Sequence, residues 1–268
     1  MALTATLYWM LTDDAFTVGD ERVSFAGLAH ADEAQVRELL SDIDRGPNVF
    51  RVRGTDIVEE LSILTEVDAA SAVVTLPADV SVWLDERDPV FIWSDGAVSW
   101  LVDEAGMLFA PADLDALVTD ERAGNEASEA STEADAAADA RARLPVVEDA
   151  RLPEEPPTVG SYLSTIDLLA MRQLLALDQE LLGSRAKRLE LRVDDGDGYV
   201  LESDQGWRAL FGHYTLTVQP PDVIPAQVQC LQWLLAAEER RLHMVRLAVT
   251  ADGCGTFTRV GDKAAKNG

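Results

Sequence analysis

Ala70-Ser71-Ala72-Val73-Val74-Thr75-Leu76-Pro77-Ala78-Asp79-Val80-Ser81-Val82-Trp83-Leu84 is the stretch from which the fold of the first part of the chain is read. Ala70, Ala72, Val74 and Leu76 share one face, Pro77-Ala78-Asp79 turns the chain, and Val80, Val82 and Leu84 alternate back. Period-two alternation on both sides of such a turn predicts a β-hairpin with one buried face. Upstream, residues 16–28 alternate toward Val23 and Phe25 and stop at Gly27, which predicts a strand and a turn. Asp32 is placed to cap a helix whose Val36, Leu39, Leu40 and Ile43 recur at helical spacing, and Gly46-Pro47 ends it. A second short helix follows, with Thr55 as its expected N-cap and Ile57, Leu61 and Leu64 on one face. The order β-α-α-β-β over residues 16–88 predicts a small two-layer α+β domain.

Downstream, short strands are expected at Pro89 to Trp93, Ser99 to Val102, Met107 to Phe109 and Leu144 to Val147. Ser161 or Ser164 is placed to cap one long helix with Ile166, Leu169, Leu174, Leu177 and Leu181 as its apolar stripe, closed by Gly183. Strands through Leu191, Tyr199 and Ala209 come next, then a helix opened by Asp222 and Pro225 and carrying Val228, Leu231, Leu234 and Leu235. Val245, Leu247 and Val249 alternate, Asp252-Gly253 turns, and Thr256 to Val260 is the last strand. These segments predict a larger, mostly antiparallel sheet over residues 89–260 with helices on one face. Residues 119–143 lack aromatic and branched aliphatic side chains, so they are expected to be a disordered or transiently helical acidic insertion. Residues 261–268 are expected to be a flexible tail.

The charge is unevenly spread. The chain has 22 Lys plus Arg against 48 Asp plus Glu, a net charge of −26. Residues 13–88 hold 18 acids and 6 bases, whereas residues 158–268 hold 14 and 12. A surface this acidic repels phosphate polyanions and anionic lipid, which argues against a nucleic-acid partner. Lys187, Lys263 and Lys266 are the only lysines. At the start, Ala2 to Leu11 is too short for a span that needs about 20 apolar residues. Tyr8 and Trp9 just before Asp13 and Asp14 nevertheless match the outer belt of a membrane helix, so residues 1–15 read as its remnant or as a short N-terminal segment.

No catalytic, cofactor or metal set emerges. His30, His213 and His243 are scattered, without the spacing that puts two rings on one helical face. Cys230 falls on an apolar helix and Cys254 in the terminal turn; they are expected to be unpaired, a disulfide outside the cytoplasm being the other arrangement open to them. Asp194-Asp195-Gly196-Asp197-Gly198 lacks the glycine and glutamate positions of a calcium loop and reads as a hairpin turn. There is no Gly-rich phosphate loop and no Gly-x-Ser-x-Gly elbow.

An ordered set of motifs carries a resemblance. It comprises Val23-Ser24-Phe25-Ala26-Gly27, Gly46-Pro47-Asn48-Val49-Phe50, Leu76-Pro77-Ala78-Asp79-Val80-Ser81-Val82, Glu86-Arg87-Asp88-Pro89-Val90 and Leu101-Val102-Asp103-Glu104-Ala105-Gly106-Met107-Leu108-Phe109. Over residues 16–109 it resembles the POTRA domain and following β domain of the bacterial division protein family FtsQ/DivIB. The match continues more loosely over residues 144–260. It departs from the family pattern in the short N-terminal apolar run, in Leu64-Thr65-Glu66 where a proline is usual, and in the length of the insertion. The resemblance implies a non-enzymatic divisome scaffold, held by a single-pass helix with the bulk of the chain outside the cytoplasmic membrane at the septum. It implies partners of the FtsB/DivIC and FtsL type and a role in controlling septal peptidoglycan synthesis, with no small-molecule substrate. The alternative is a POTRA-type polypeptide-binding module of a transport or assembly system. The family's partner adds to the last β-domain strand, here Thr256, Phe257, Thr258, Arg259 and Val260. Arg185, Lys187 and Arg188 either engage an acidic partner or complement a helix dipole. Glu86 and Arg87 either bridge structure or touch a partner.

Overall fold

The computed structural model describes residues 8–28, 33–40, 48–114, 144–152, 156–250 and 253–261. The expectations for residues 119–143, Asp32, Ile43, Gly46-Pro47, His30 and residues 262–268 lie outside them. The chain divides into two compact units, one ending at Asp88 and the other beginning at Pro89.

In the first unit β1 (Val23–Ala26) is followed by α1 (Glu33–Leu39), α2 (Gly54–Leu61), β2 (Val67–Thr75) and β3 (Asp79–Glu86). The sheet order is β1-β3-β2, with β3 central. β2 and β3 form the antiparallel hairpin, pairing Val74 with Val80 and Ala70 with Leu84. β1 lies on the other side of β3, separated from it in the chain by both helices and β2, and pairs with it parallel, Phe25 opposite Val82. Val80, Val82 and Leu84 are buried with Val36, Leu40, Ile57 and Leu61, which makes the helices the second layer. Gly27 has φ +88°, and a Cβ there would collide with the Leu84 carbonyl. Thr55 is not the N-cap. Arg53 occupies that position without a side-chain cap bond, and its carbonyl accepts from both Asp56 and Ile57, so the helix opens two residues earlier. Leu64 is buried as expected but lies past the helix end.

The second unit holds β4 (Phe91–Ser94), β5 (Ser99–Val102), β6 (Leu108–Pro111), β7 (Val146–Asp149), α3 (Thr165–Leu174), α4 (Gln179–Leu182), β8 (Leu189–Asp194), β9 (Gly198–Ser203) and β10 (Arg208–Gly212). These are followed by α5 (Ile224–Glu238), β11 (Leu242–Thr250) and β12 (Gly253–Arg259). Among the described residues one nine-stranded sheet runs in the order β12-β11-β10-β9-β8-β7-β4-β5-β6. The sheet is mixed: β4 with β7, β7 with β8, and β10 with β11 pair parallel, each across a connection longer than a hairpin, and the other ladders are antiparallel. Met171, Leu174, Leu182, Val228, Leu231 and Leu235 share one core with Trp93, Val147, Leu191, Leu201, Phe211 and Val245, so all three helices cover the same face.

The expected single helix from residue 164 to Gly183 is two. Ser164 caps α3, accepting from the Asp167 N–H, and Asp178 then restarts the chain as N-cap of α4, accepting from the Leu181 N–H. Of the expected stripe, Leu174 is buried and Ile166 and Leu177 pack against the core. Leu169 and Leu181 are exposed, and Ala170, Met171 and Leu182 are buried instead. Residues 8–12 are helical, but among the described residues no helix is long and apolar enough to cross a membrane.

Gly27 and Gly96 both require positive φ, but only Gly27 has backbone where a Cβ would stand. Left-handed strain costs about 1–2 kcal/mol by itself, and the collision adds to it. Gly27→Ala is therefore expected to lower the first unit's calorimetric unfolding midpoint by at least roughly 5–10 °C, and Gly96→Ala to lower the second unit's by less. Equal small shifts would contradict the packing described.

Candidate interaction site at the free edge of the large sheet

β12 ends the strand order, and among the described residues only β11 pairs with it. The register runs antiparallel, Val245 opposite Phe257 and Arg246 opposite Thr256, and slips at both ends. At one slip Gly255 has φ +117°, and a Cβ there would collide with the Arg246 carbonyl. Apart from half-buried Thr258, every side chain of β12 is exposed. Among the described residues no strand meets the backbone groups of Cys254 to Thr258 that face away from β11. Such groups are a template for a further strand.

The sequence-derived residues Thr256, Phe257, Thr258 and Arg259 all lie on this edge strand, and Val260 follows it, its N–H donating to the Arg241 carbonyl at 2.7 Å. Phe257 is 41% exposed and lies under the Arg259 guanidinium, 5.1 Å from its ring centre. Beside the strand, α5 turns Trp233 outward at 80% exposure. Gln229, Cys230, Trp233, Ala236 and Cys254 line an open groove of about 480 Å³.

Two ties bind β12 to α5. Cys230 and Cys254 form a disulfide, with Cα atoms 5.6 Å apart, which corrects the expectation that they are unpaired. Their separation of 24 residues hides the pairing, because it is created only when β11 lies along β10 under α5. At the other end Arg259 donates from Nε and Nη2 to the two carboxylate oxygens of Glu238, each at 3.1 Å. That bidentate bond holds the Glu238 carboxyl below the usual glutamate range.

The expected basic cluster is divided by the fold. The Arg185 N–H donates to Glu239 Oε1 at 2.7 Å, and Arg185 shares a polar cavity with Arg240 and Arg241 at the end of α5. Glu239, which it bonds, follows Glu238, the partner of Arg259. Lys187 and Arg188 turn elsewhere, the Lys187 N–H bonding Asp204 and the Arg188 guanidinium facing Glu190 at 3.8 Å. The Lys187 N–H, opposed by some desolvation, lowers the Asp204 pKa. Arg87 has a local structural role, donating to the Thr65 carbonyl and to Asp68 within the first unit.

A buried polar network was not anticipated. Arg151 grips Asp149 through Nε and Nη2 at 2.8 and 2.9 Å and reaches Asp167 at 3.0 Å, while the Tyr199 hydroxyl donates to the same Asp167 oxygen at 2.7 Å. Ser164 completes the set by donating to the other Asp167 oxygen. Burial alone would lower the Arg151 pKa, but the hydrogen bond and charge of Asp149, followed by those of Asp167, outweigh it and hold the guanidinium above its ordinary value. Burial, then Asp167, pushes the Tyr199 phenol up. Asp149 gives the available signal in sequence, because it follows Val147 on the inward face of a strand, where an acid needs a partner.

The Asp194-to-Gly198 stretch forms the β8–β9 hairpin turn, with Asp194 accepting from the Gly196 and Asp197 N–H groups. Among the described residues no group of three or more His, Cys, Asp or Glu side chains is arranged to hold a metal ion. No protein-family model and no curated protein matches the chain.

Arg151→Ala leaves two buried carboxylates without their counter-charge and is expected to destabilise the second unit by about 3–5 kcal/mol in urea unfolding. Removing the partly exposed Arg192 instead should change stability by less than about 1 kcal/mol. Equal effects would mean that the network is not held together by charge. A pH titration reads the second tie. Because the folded Glu238 pKa is depressed, its contribution is fully present above about pH 4.3 and is lost as pH falls through the lower folded value. Amide exchange at Arg259 and Val260 is expected to speed up in that acid window, and Glu238→Gln should abolish the dependence.

Proposed function

We propose that this chain is a non-enzymatic scaffold of the bacterial divisome, of the FtsQ/DivIB type, which binds a small bitopic division protein by strand addition at β12. The observation that carries the proposal is the exposed edge of β12 over Cys254 to Thr258, which no further strand meets among the described residues. Strand addition draws most of its affinity from main-chain hydrogen bonds, and Phe257 and Trp233 beside the edge offer apolar contacts for selectivity.

Other features support the reading. The β-α-α-β-β order of the first unit and its parallel β1–β3 pairing suit a POTRA domain, and the unit that begins at Pro89 suits the β domain that follows it. A disulfide fits an oxidising compartment outside the cytoplasm. In the proposal a single-pass anchor precedes residue 16, Ala2 to Leu11 being its outer end, and FtsB- or DivIC-type and FtsL-type proteins are the partners. Binding them would place the chain in the control of septal peptidoglycan synthesis. No step of this role needs a catalytic group.

The test is a pull-down with the FtsB- or DivIC-type protein from the same genome. Phe257→Asp and Thr258→Pro are each expected to reduce retention at least roughly tenfold, equivalent to about 1.4 kcal/mol. Ile63→Asp, at an exposed position of the first unit, should leave retention unchanged. Full retention by both edge variants would defeat the strand-addition mechanism.

A further inference from the structure

Very little of β12 is fixed by burial. Its side chains are almost all exposed, it has one neighbouring strand among the described residues, and its register with that neighbour slips at both ends. The Arg259–Glu238 pair holds its C-terminal end but is partly exposed, and such pairs contribute little to stability. The N-terminal end is held by the covalent bond from Cys254 to Cys230 on α5. That bond is open to solvent: Cys254 is exposed, Cys230 is half-buried, and both line the groove beside Trp233 and Ala236.

The geometry points to Cys230–Cys254 as a thiol–disulfide exchange site at which an external dithiol frees β12 from the sheet. One thiolate of the dithiol attacks a sulfur of the pair, the bond between Cys230 and Cys254 breaks, and the displaced sulfur leaves as a thiolate that takes up a proton. The second thiol of the dithiol then resolves the mixed disulfide. The protein gains two electrons and two protons as a pair of thiols, and the dithiol departs as a disulfide. The apolar groove that both cysteines line offers a seat for a dithiol presented on a short apolar segment. Once the bond is open, the ladder with β11 and the Arg259–Glu238 pair are what remain of the ties described above. Its consequence rests on the proposed function: if a partner adds at β12, reduction withdraws the strand to which it adds.

Hydrogen exchange of the full chain, read by mass spectrometry before and after treatment with dithiothreitol, tests this without any partner. Amides of residues 253–260 are expected to exchange at least about tenfold faster after reduction, while those of β8 and β9 stay protected. The double variant Cys230→Ser with Cys254→Ser should show the fast exchange without reductant. Three results would overturn the proposal: β12 protection unchanged on reduction, a disulfide that dithiothreitol does not reduce in the folded chain, or loss of protection throughout the unit. None of these bears on whether the oxidised edge binds a partner, which the pull-down decides separately.

Discussion

The position of β12 depends on α5 more than on its own side chains. A strand with almost no buried surface stays in a sheet only if something else holds it, and here the disulfide and the Arg259–Glu238 bond both lead to the helix. The helix is in turn fixed by Gln227, which is 1% exposed. Its amide nitrogen donates to the carbonyls of Phe211 and Leu247 at 2.9 and 3.0 Å, joining the ends of the parallel strands β10 and β11. A buried amide with its hydrogen bonds made is strongly localising, because no other position satisfies it.

The polar thread continues inward from that glutamine. The Tyr214 hydroxyl donates to Gln227 Oε1, the Tyr214 ring lies 5.0 Å from Tyr199, and Tyr199 leads to Asp167, Arg151 and Asp149. The same side chains that anchor α3 over β7 therefore neighbour those that anchor α5 over β10 and β11. The charge distribution agrees with this division of roles. In the near-neutral C-terminal region Arg208, Arg246 and Arg259 form internal pairs with Glu202, Asp197 and Glu238, whereas most of the excess acid lies earlier in the chain.

Much of this fold is legible in the sequence where a single periodicity governs. The hairpin at residues 70–84 is, because alternation and turn chemistry agree there, and so is the last strand, bounded by a turn on one side. The broken helix between Ser164 and Gly183 is not, because leucines at helical spacing persist through the break and only the capping by Asp178 marks it. Parallel pairing is equally hidden, since a strand's own residues carry no sign of which way its neighbour runs. At the candidate site the edge residues follow from chain order, but the disulfide, the Glu238 tie and the separation of Arg185 from Lys187 and Arg188 arise from contacts between elements far apart in sequence.

The central claim is that a partner completes the sheet at β12. The most direct measurement is nuclear magnetic resonance of the isotopically labelled oxidised chain mixed with the unlabelled FtsB- or DivIC-type protein proposed as its partner, read for intermolecular contacts between backbone protons. The account predicts cross-strand contacts from the backbone of residues 254–258 to an extended segment of the partner, and none at β6 on the opposite edge of the sheet. A bound partner whose contacts avoid β12 would contradict it.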